Sequence, residues 1–441
     1  MNFYGRAEEL AELARIRDLS RKNARFTVVT GRRRVGKTEL LEHAYHDGRA
    51  PYLYFLVTRR SERDLCRTFQ EEAEKSLGRP FLGRADRFGP LFEAILEYAA
   101  ETPLTLVIDE FQDLDRIDPG IFGEIQGAWD RLHGRARVNL IACGSINRMM
   151  TKIFFDESQP LYGRNTGRLD IGPFPVAVLK KILRDHLPTS SNRDLLALWT
   201  LTGGVARYVE LFMDAGACTR EAMLDEVFGP SSAYIDEGRV ALSDEFGKEY
   251  GVYFSILSAI AVGRTSYADI QNAVGGEIGG HLTKLERAYS LISKVRPFRE
   301  RDSSRTFLYR IDDSFFRFWF RFVYKYAHLI EQKQRTALRQ IVDRDFDTFS
   351  GVSLERYFRV KFLEEKRYTR VGGWWDRKGE NEIDLVCENE LDDVLDFHEV
   401  KLDARRIDLK GLSLKVAAFF QKHPDMRRSS FGMAGLSLED M

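Results

Sequence analysis

The chain has 441 residues, 44% of them hydrophobic and 30% charged, a composition that suits folded globular domains and a length that allows about three cores. Lys+Arg and Asp+Glu both total 67, which excludes a global field pulling toward nucleic acid and leaves room only for a local basic surface. Four scattered cysteines without C-x-x-C spacing exclude a disulfide framework and a thiolate zinc site; with no signal-peptide pattern and no apolar run near the roughly 20 residues that span a bilayer, a cytoplasmic protein away from membranes is expected.

In chain order, residues 26–30 read as a buried strand and 39–45 as a helix, and GRRRVGKT between them fits G-x-x-x-x-G-K-[ST]. A strand feeding a glycine-rich turn that opens a helix aims backbone N–H groups and the positive helix end at one point, which suits a nucleotide's phosphates. Gly31, Arg32, Arg33, Arg34, Val35 and Gly36 would form the cradle, Lys37 would reach the β- and γ-phosphates, and Thr38 would ligate Mg²⁺. Residues 52–57 read as a second strand and 104–110 as a third, ending in two adjacent acids. Asp109 would hold the Mg²⁺ shell and Glu110 would polarise the attacking water. The strand at 138–145 ends in Ser145, which could reach the γ-phosphate or the water; Asn147 is the alternative.

With those pieces in place, residues 1 to about 235 resemble archaeal-type ATPases of the AAA and STAND kind, on FYGRAEEL, GRRRVGKT, LVIDEFQDL, CGSINRMM, LYGRNTGRLDIGPF and LTGGVARYVELF. The resemblance implies ATP as the nucleotide, a parallel-sheet core and a helical lid. In that lid Arg207, following Gly203 and Gly204, would sense the nucleotide, although Ala206 stands where the family usually has proline. Arg164 and Arg168 match basic positions that would complete a neighbouring subunit's site in a homo-oligomer, or else serve as ordinary surface arginines.

From about residue 250, three helical stretches and a two-stranded wing read as a winged helix. Ile278, Leu282, Leu285 and Tyr289 would face inward; His281, Lys284 and Arg287 would face outward, with Arg299, Arg301 and Arg305 on a flexible tip. That surface would meet DNA phosphates or a protein partner. Residues 314–326, SFFRFWFRFVYKY, place Phe315, Phe318, Phe322 and Tyr326 at helical spacing, which predicts a buried connecting helix rather than a base-stacking platform.

The last hundred residues read as a strand, a polar turn, a second strand bearing Asp384, and a third bearing Glu399, Val400 and Lys401. Glu399 and Lys401 share a strand face, and Asp384 on the adjoining antiparallel strand can join them. Two carboxylates and the Val400 carbonyl would hold Mg²⁺, while Lys401 would position or deprotonate water, which is phosphodiester-cleaving chemistry. The stretch resembles restriction-endonuclease-like PD-(D/E)xK nucleases, with Glu382 and Ile383 standing before Asp384 in place of the motif's proline. That resemblance implies Glu355 as a further metal ligand and Gln421 as a weaker match on a later helix.

The expected architecture is multidomain α/β: a P-loop ATPase core over 1–172, a helical lid over 173–245, a winged helix over 246–313, aromatic connecting helices over 314–344 and an α/β restriction-endonuclease-like domain over 345–441. The expected function is ATP binding and hydrolysis directed at nucleic acid, with DNA as the expected partner, and ATP-regulated, metal-dependent cleavage at the C-terminus. The alternative is a nucleotide-switched DNA-binding or signalling protein whose C-terminal module does not cut.

Overall fold

The computed structural model describes residues 1–441 except 47, 49, 81–82, 146–147, 247–249, 378 and 429–430. Asn147 therefore lies outside the described residues. The chain divides into two compact units, Gly5–Gly172 and Met1–Tyr4 together with Pro173–Met441. Among the described residues no helix is long and apolar enough to cross a membrane.

In the first unit, strands β1 (Arg25–Gly31), β2 (Tyr52–Leu56), β3 (Leu104–Asp109), β4 (Val138–Ser145) and β5 (Gly167–Ile171) form a parallel sheet in the order β2-β3-β4-β1-β5. The inner strands β3 and β4 and nearly all of β1 are buried, as expected for strands covered on both faces by helices, and this is why they read as unbroken apolar runs. With β4 between β1 and β3, Gly31 lies in register with Ser145, and Ile108 with Ala142. The phosphate loop and the acidic strand end thus share one edge of the sheet. β5 was not apparent in the sequence: it is short, and its exposed Arg168 and Asp170 interrupt any apolar run.

The second unit is one compact body: one hydrophobic cluster runs from Phe174 to Met441, and a second, around Trp374 and Phe419, lies within the C-terminal sheet and its helix. Helices Val176–His186, Asn192–Thr202, Ala206–Asp214, Arg220–Phe228 and Ala233–Phe246 lead to three more at Tyr250–Ala261, Tyr267–Val274 and Gly279–Arg287. An antiparallel pair, β6 (Ile292–Val295) and β7 (Leu308–Ile311), follows. Ile278, Leu282 and Leu285 are buried and Lys284 and Arg287 exposed, as the helical spacing predicts. His281 departs from the expectation: it packs on Tyr253, with ring centroids 5.2 Å apart.

The loop joining β6 and β7 also departs from it. Arg299 is not on a free tip but holds Glu388 at 2.7 Å and Glu390 at 2.9 Å. The Phe298 N–H donates to the Gly373 carbonyl at 2.8 Å, its ring enters the core around Trp374, and Glu300 pairs with Lys422 at 3.2 Å. Arg301 and Arg305 remain exposed. The hairpin loop is thereby fastened to the C-terminal sheet.

Residues 314–323 are buried as expected apart from half-buried Arg317 and Arg321, while Tyr324 and Tyr326 are half-buried and Lys325 is exposed. The Ser314–Phe318 helix widens into a π-helical turn at Trp319–Tyr324, where the Lys325 N–H donates to the Phe320 carbonyl at 3.3 Å. Phe315, Phe316, Phe318, Trp319, Phe320 and Phe322 all enter the core. The Arg335–Glu364 helix then leads into β8 (Arg370–Trp375), β9 (Glu382–Asn389) and β10 (Val394–Val400), followed by the Leu409–Lys422 helix and β11 (Gly432–Leu436). The sheet order is β11-β10-β9-β8, antiparallel except for the parallel β10–β11 pair that the helix connects.

Candidate functional sites

At the sheet edge of the first unit, Gly36 (φ 88°) and Arg34 (φ 72°) adopt left-handed conformations that fold the loop back over the helix start. A Cβ on Gly31 would lie 2.6 Å from the Ile171 carbonyl oxygen, so only glycine lets β1 leave the sheet there. Val35 is buried under the loop and Arg33 is exposed, while Arg32 and Arg34 are half-buried. Lys37 Nζ donates to the Gly31 and Arg32 carbonyls at 2.9 and 3.2 Å, holding its charge over the cradle.

Thr38 Oγ1 donates to Asp109 Oδ2 at 2.8 Å, across the edge from β3. These hard oxygen donors face each other next to an anion cradle, which fits Mg²⁺ shared with phosphate oxygens. Burial alone would raise the Asp109 carboxyl, but hydrogen bonds from Tyr54, Thr38 and Cys143 and from the Glu110 N–H hold it below the usual range, charged and oriented. Glu110 follows in a left-handed conformation (φ 52°), and its carboxylate accepts from Gln112 Nε2 at 2.5 Å. Tyr54, Cys143 and Gln112 were missed in the sequence because each reaches the acids from a different element.

Arg6 was also missed as an individual residue. It is buried and donates to the Val35 and Gly172 carbonyls at 3.0 and 2.7 Å, bracing the phosphate loop from the start of the first helix. Ser145 is half-buried beside Gly31, at the position predicted for it. Arg164 pairs with Asp130 at 3.1 Å and Arg168 with Asp170 at 2.9 Å, so each has a carboxylate within its own unit. Arg207 belongs to the second unit, where it pairs with Glu210 at 2.7 Å. The glycines before it are needed: Gly203 and Gly204 have φ of 56° and 82°, and a Cβ on Gly204 would meet the Phe174 carbonyl oxygen at 2.6 Å.

The C-terminal sheet brings the other predicted residues together. Regular β9–β10 pairing stops at His398 opposite Leu385, and beyond it the Val400 N–H donates to Asp384 Oδ2 at 2.7 Å. The two strands splay, leaving the carboxylate between them. Lys401 Nζ lies 3.2 Å from Asp384 Oδ2 and 3.4 Å from Glu399 Oε1. Burial alone would lower the Lys401 ammonium, yet Asp384 and Glu399 raise it above its ordinary value. The Asp408 N–H donates to Glu399 Oε2 at 2.5 Å, and Lys415 stands 3.9 Å from Oε1.

Glu355 reaches the group from the Arg335–Glu364 helix. Burial, then repulsion from Asp384 and Glu382, pushes its carboxyl up to about 8. Among the described residues no three His, Cys, Asp or Glu side chains gather tightly enough to hold a metal. The expected metal ligands Glu355, Asp384 and Glu399 are therefore near one another without closing into a cage; the Lys401 ammonium bridges Asp384 and Glu399, and burial favours the neutral form of Glu355. Their oxygens are nonetheless the hard donors that suit Mg²⁺. Gln421 is exposed on its helix, and Lys415 of the same helix is the residue that approaches Glu399.

Residues 3–212 match the family ATPase_2, an ATPase domain predominantly from Archaea, and residues 319–412 match DUF234, archaeal and bacterial proteins of unknown function. An uncharacterized protein of Methanocaldococcus jannaschii, MJECL04, is 27% identical over 94% of this chain and 89% of its own length. The Walker-type ATPase paby2304 of Pyrococcus abyssi superposes with a TM-score of 0.54 at 20% identity, over 72% of this chain and 96% of that one. The Aeropyrum pernix ORC2 protein gives a TM-score of 0.47 at 15% identity, over 70% and 90%. The matched segments and the parallel sheet agree: residues 3–212 match an archaeal-type ATPase domain and carry a P-loop on a parallel sheet, and the segment that matches DUF234 includes Glu355, Asp384, Glu399 and Lys401.

Proposed function

We propose that this protein binds and hydrolyses ATP and uses the nucleotide to control metal-dependent phosphodiester cleavage of nucleic acid, most directly DNA, by its C-terminal domain. The observation that carries the second half is the meeting of Asp384, Glu399 and Lys401 where β9 and β10 splay. A helix, three antiparallel strands, a helix and a parallel strand in that order support a restriction-endonuclease-like reading of residues 345–441, and the three helices with the β6–β7 hairpin support a winged-helix reading.

In the first site, Lys37 offsets phosphate charge while the loop N–H groups hold the β- and γ-phosphates. Thr38 and Asp109 would hold Mg²⁺, which lowers the charge on the phosphates. Glu110, oriented by Gln112, turns a water toward the γ-phosphorus; the new P–O bond forms as the bond to the bridging oxygen breaks, and ADP leaves. Arg207 is assigned to nucleotide sensing.

In the second site, Asp384, Glu399 and Glu355 do not form a closed metal cage as they stand; drawn together, they and the Val400 carbonyl would hold a divalent cation that offsets charge on the scissile phosphate. Lys401 orients or deprotonates the attacking water, and one P–O bond is exchanged for another, leaving a phosphate on one strand end and a hydroxyl on the other. A second reading is favoured by the pairing of Lys401 with both carboxylates: a nucleotide-switched DNA-binding or signalling protein whose C-terminal module does not cut.

Cleavage of plasmid, single-stranded DNA and RNA in Mg²⁺ or Mn²⁺ separates the two. Cutting by the parent, lost in Lys401→Ala, is expected. Salt-sensitive binding without cutting, unchanged by Asp384→Ala, supports the second reading instead.

A further inference from the structure

A cavity of about 600 Å³ opens inside the second unit, between the Arg335–Glu364 helix, the β6–β7 hairpin and the start of β9. Five guanidinium groups line it, those of Arg310, Arg317, Arg321, Arg356 and Arg359. At its far wall stand Glu355 and Asp384 of the candidate cleavage site. This many arginines around one hollow is costly for a fold, since burial disfavours each cation and they repel one another.

Some of that charge is used internally. Arg321 pairs with Asp345 at 3.0 Å, and Arg317 donates to the Phe349 carbonyl at 2.5 Å and lies over its ring. Arg317 is still pushed down to about 9, first by burial and then by Arg356. Arg359 is half-buried and makes no hydrogen bond or ion pair among the described residues; burial and the Arg310 charge both disfavour its cation. Arg310 pairs with Asp312 at 3.3 Å and Arg356 donates to the Asp312 carbonyl, although Arg310 Nε and Arg321 Nη1 are buried donors without an acceptor. The Arg359 guanidinium, left without a carboxylate among the described residues, is complementary to an anion that the chain itself does not supply.

The hollow does not end at the cleavage residues. A second one, of about 870 Å³, shares Leu308, Trp375 and Glu382 with the first; Arg305 and Arg377 line it together with Asp376 and the Lys422–Glu300 pair, so its charge is mixed. Trp375 is half-buried at that junction, where its ring can stack on a base. The first hollow has room for about one or two nucleotides and is too small for a duplex.

We propose that the arginine-lined cavity receives the phosphate-bearing end of a single nucleic-acid strand. The strand continues past Trp375 into the second hollow, so that a phosphodiester near the end lies against Asp384. This rests on the cleavage reading for its biological meaning but not for its test. It makes the substrate a free single-stranded end rather than an internal duplex site.

The test is binding without cutting: fluorescence anisotropy of the full chain in EDTA without added nucleotide, using a labelled ten-nucleotide oligothymidylate phosphorylated at the 5′ end, at the 3′ end or at neither. One phosphorylated end should bind at least ten-fold tighter than the unphosphorylated oligomer. Arg359→Gln should abolish that difference, as should Arg310→Gln, while Lys75→Gln, an exposed lysine of the first unit, keeps it; matched melting temperatures check that the variants fold. Equal affinity for all three oligomers, or an Arg359→Gln protein that keeps the end preference, overturns the proposal. A free cyclic dinucleotide that outcompetes every oligomer overturns the strand-end assignment and makes the pocket a receptor for a small nucleotide. End-selective binding by a protein that never cuts sinks the cleavage reading alone; cutting without end selectivity sinks the pocket alone.

Discussion

Asp109 keeps its charge at the edge of a buried sheet because four donors converge on it, from β2, from β4, from the helix that follows the phosphate loop and from the neighbouring Glu110 N–H. Its position, like those of Lys37 and Thr38, could be read from spacing, since a motif fixes residues within one turn of chain. Tyr54, Cys143 and Gln112 could not, because contacts between strands depend on a register that no local pattern reveals. Tyr54 donates to Asp109 Oδ2 at 2.5 Å, and burial followed by that bond pushes its phenol up, so it acts as a donor at any working pH. Tyr54→Phe should therefore slow ATP hydrolysis by about ten-fold while leaving ATP binding nearly intact, as loss of a supporting hydrogen bond to a metal-binding carboxylate usually does. Steady-state rates beside nucleotide titrations check this, and an unchanged rate would remove Tyr54 from the account.

Glu355 makes a prediction of the opposite electrostatic sign. Its carboxyl titrates near 8 in the fold against an ordinary 4.5, so the fold prefers the neutral acid. The stability due to that preference is complete below about pH 4.5 and is lost as pH rises through about 8. Glu355→Gln imitates the neutral acid without titrating. In metal-free buffer its melting temperature should match the parent's near pH 5 and exceed it increasingly toward pH 9; parallel profiles would show that Glu355 is ionised throughout.

At the scale of elements, long apolar strands and strongly periodic helices were legible, and short or glycine-rich strands were not. β4 and β10 are places where burial dictates composition. β11, Gly-Met-Ala-Gly-Leu, carries almost no strand signal because its glycines answer to neighbours: a Cβ on Gly432 would strike Asp396 and one on Gly435 would strike Ile407. The wing arginines misled for a related reason, since a polar turn in sequence became a docked loop once Arg299 met Glu388. The aromatic run was read correctly as packing because its density exceeds what a solvent-facing helix carries. Its tightest contact is with Gly238 inside the Ala233–Phe246 helix, where an added Cβ would collide with the Trp319 indole, whose Nε1 donates to the Ile235 carbonyl at 2.8 Å. Gly→Ala inside a helix ordinarily stabilises by about 0.5–1 kcal/mol. Gly238→Ala should instead destabilise by about 1–3 kcal/mol through overpacking, measured by denaturant unfolding. A stabilised variant would mean that Trp319 moves freely there.

At the scale of the whole molecule, the two candidate chemistries sit in different compact units, and the core running from Phe174 to Met441 joins the helical region, the hairpin and the DUF234 domain into one packed body. The sequence suggested separate domains because motifs change character along the chain, whereas packing depends on which apolar faces meet. A continuous core can carry a rearrangement where a flexible tether cannot; Arg207, the proposed nucleotide sensor, belongs to the same body as Asp384, Glu399 and Lys401, and ATP is predicted to alter what happens there. The most direct measurement is the Mg²⁺-dependent cleavage rate of single-stranded DNA with and without ATP, for the parent, Lys37→Ala and Asp384→Asn. The account predicts that ATP changes the parent's rate, that Lys37→Ala cuts at one rate regardless of ATP, and that Asp384→Asn does not cut. Parent cleavage that ignores ATP, or cleavage that survives Asp384→Asn, would contradict it.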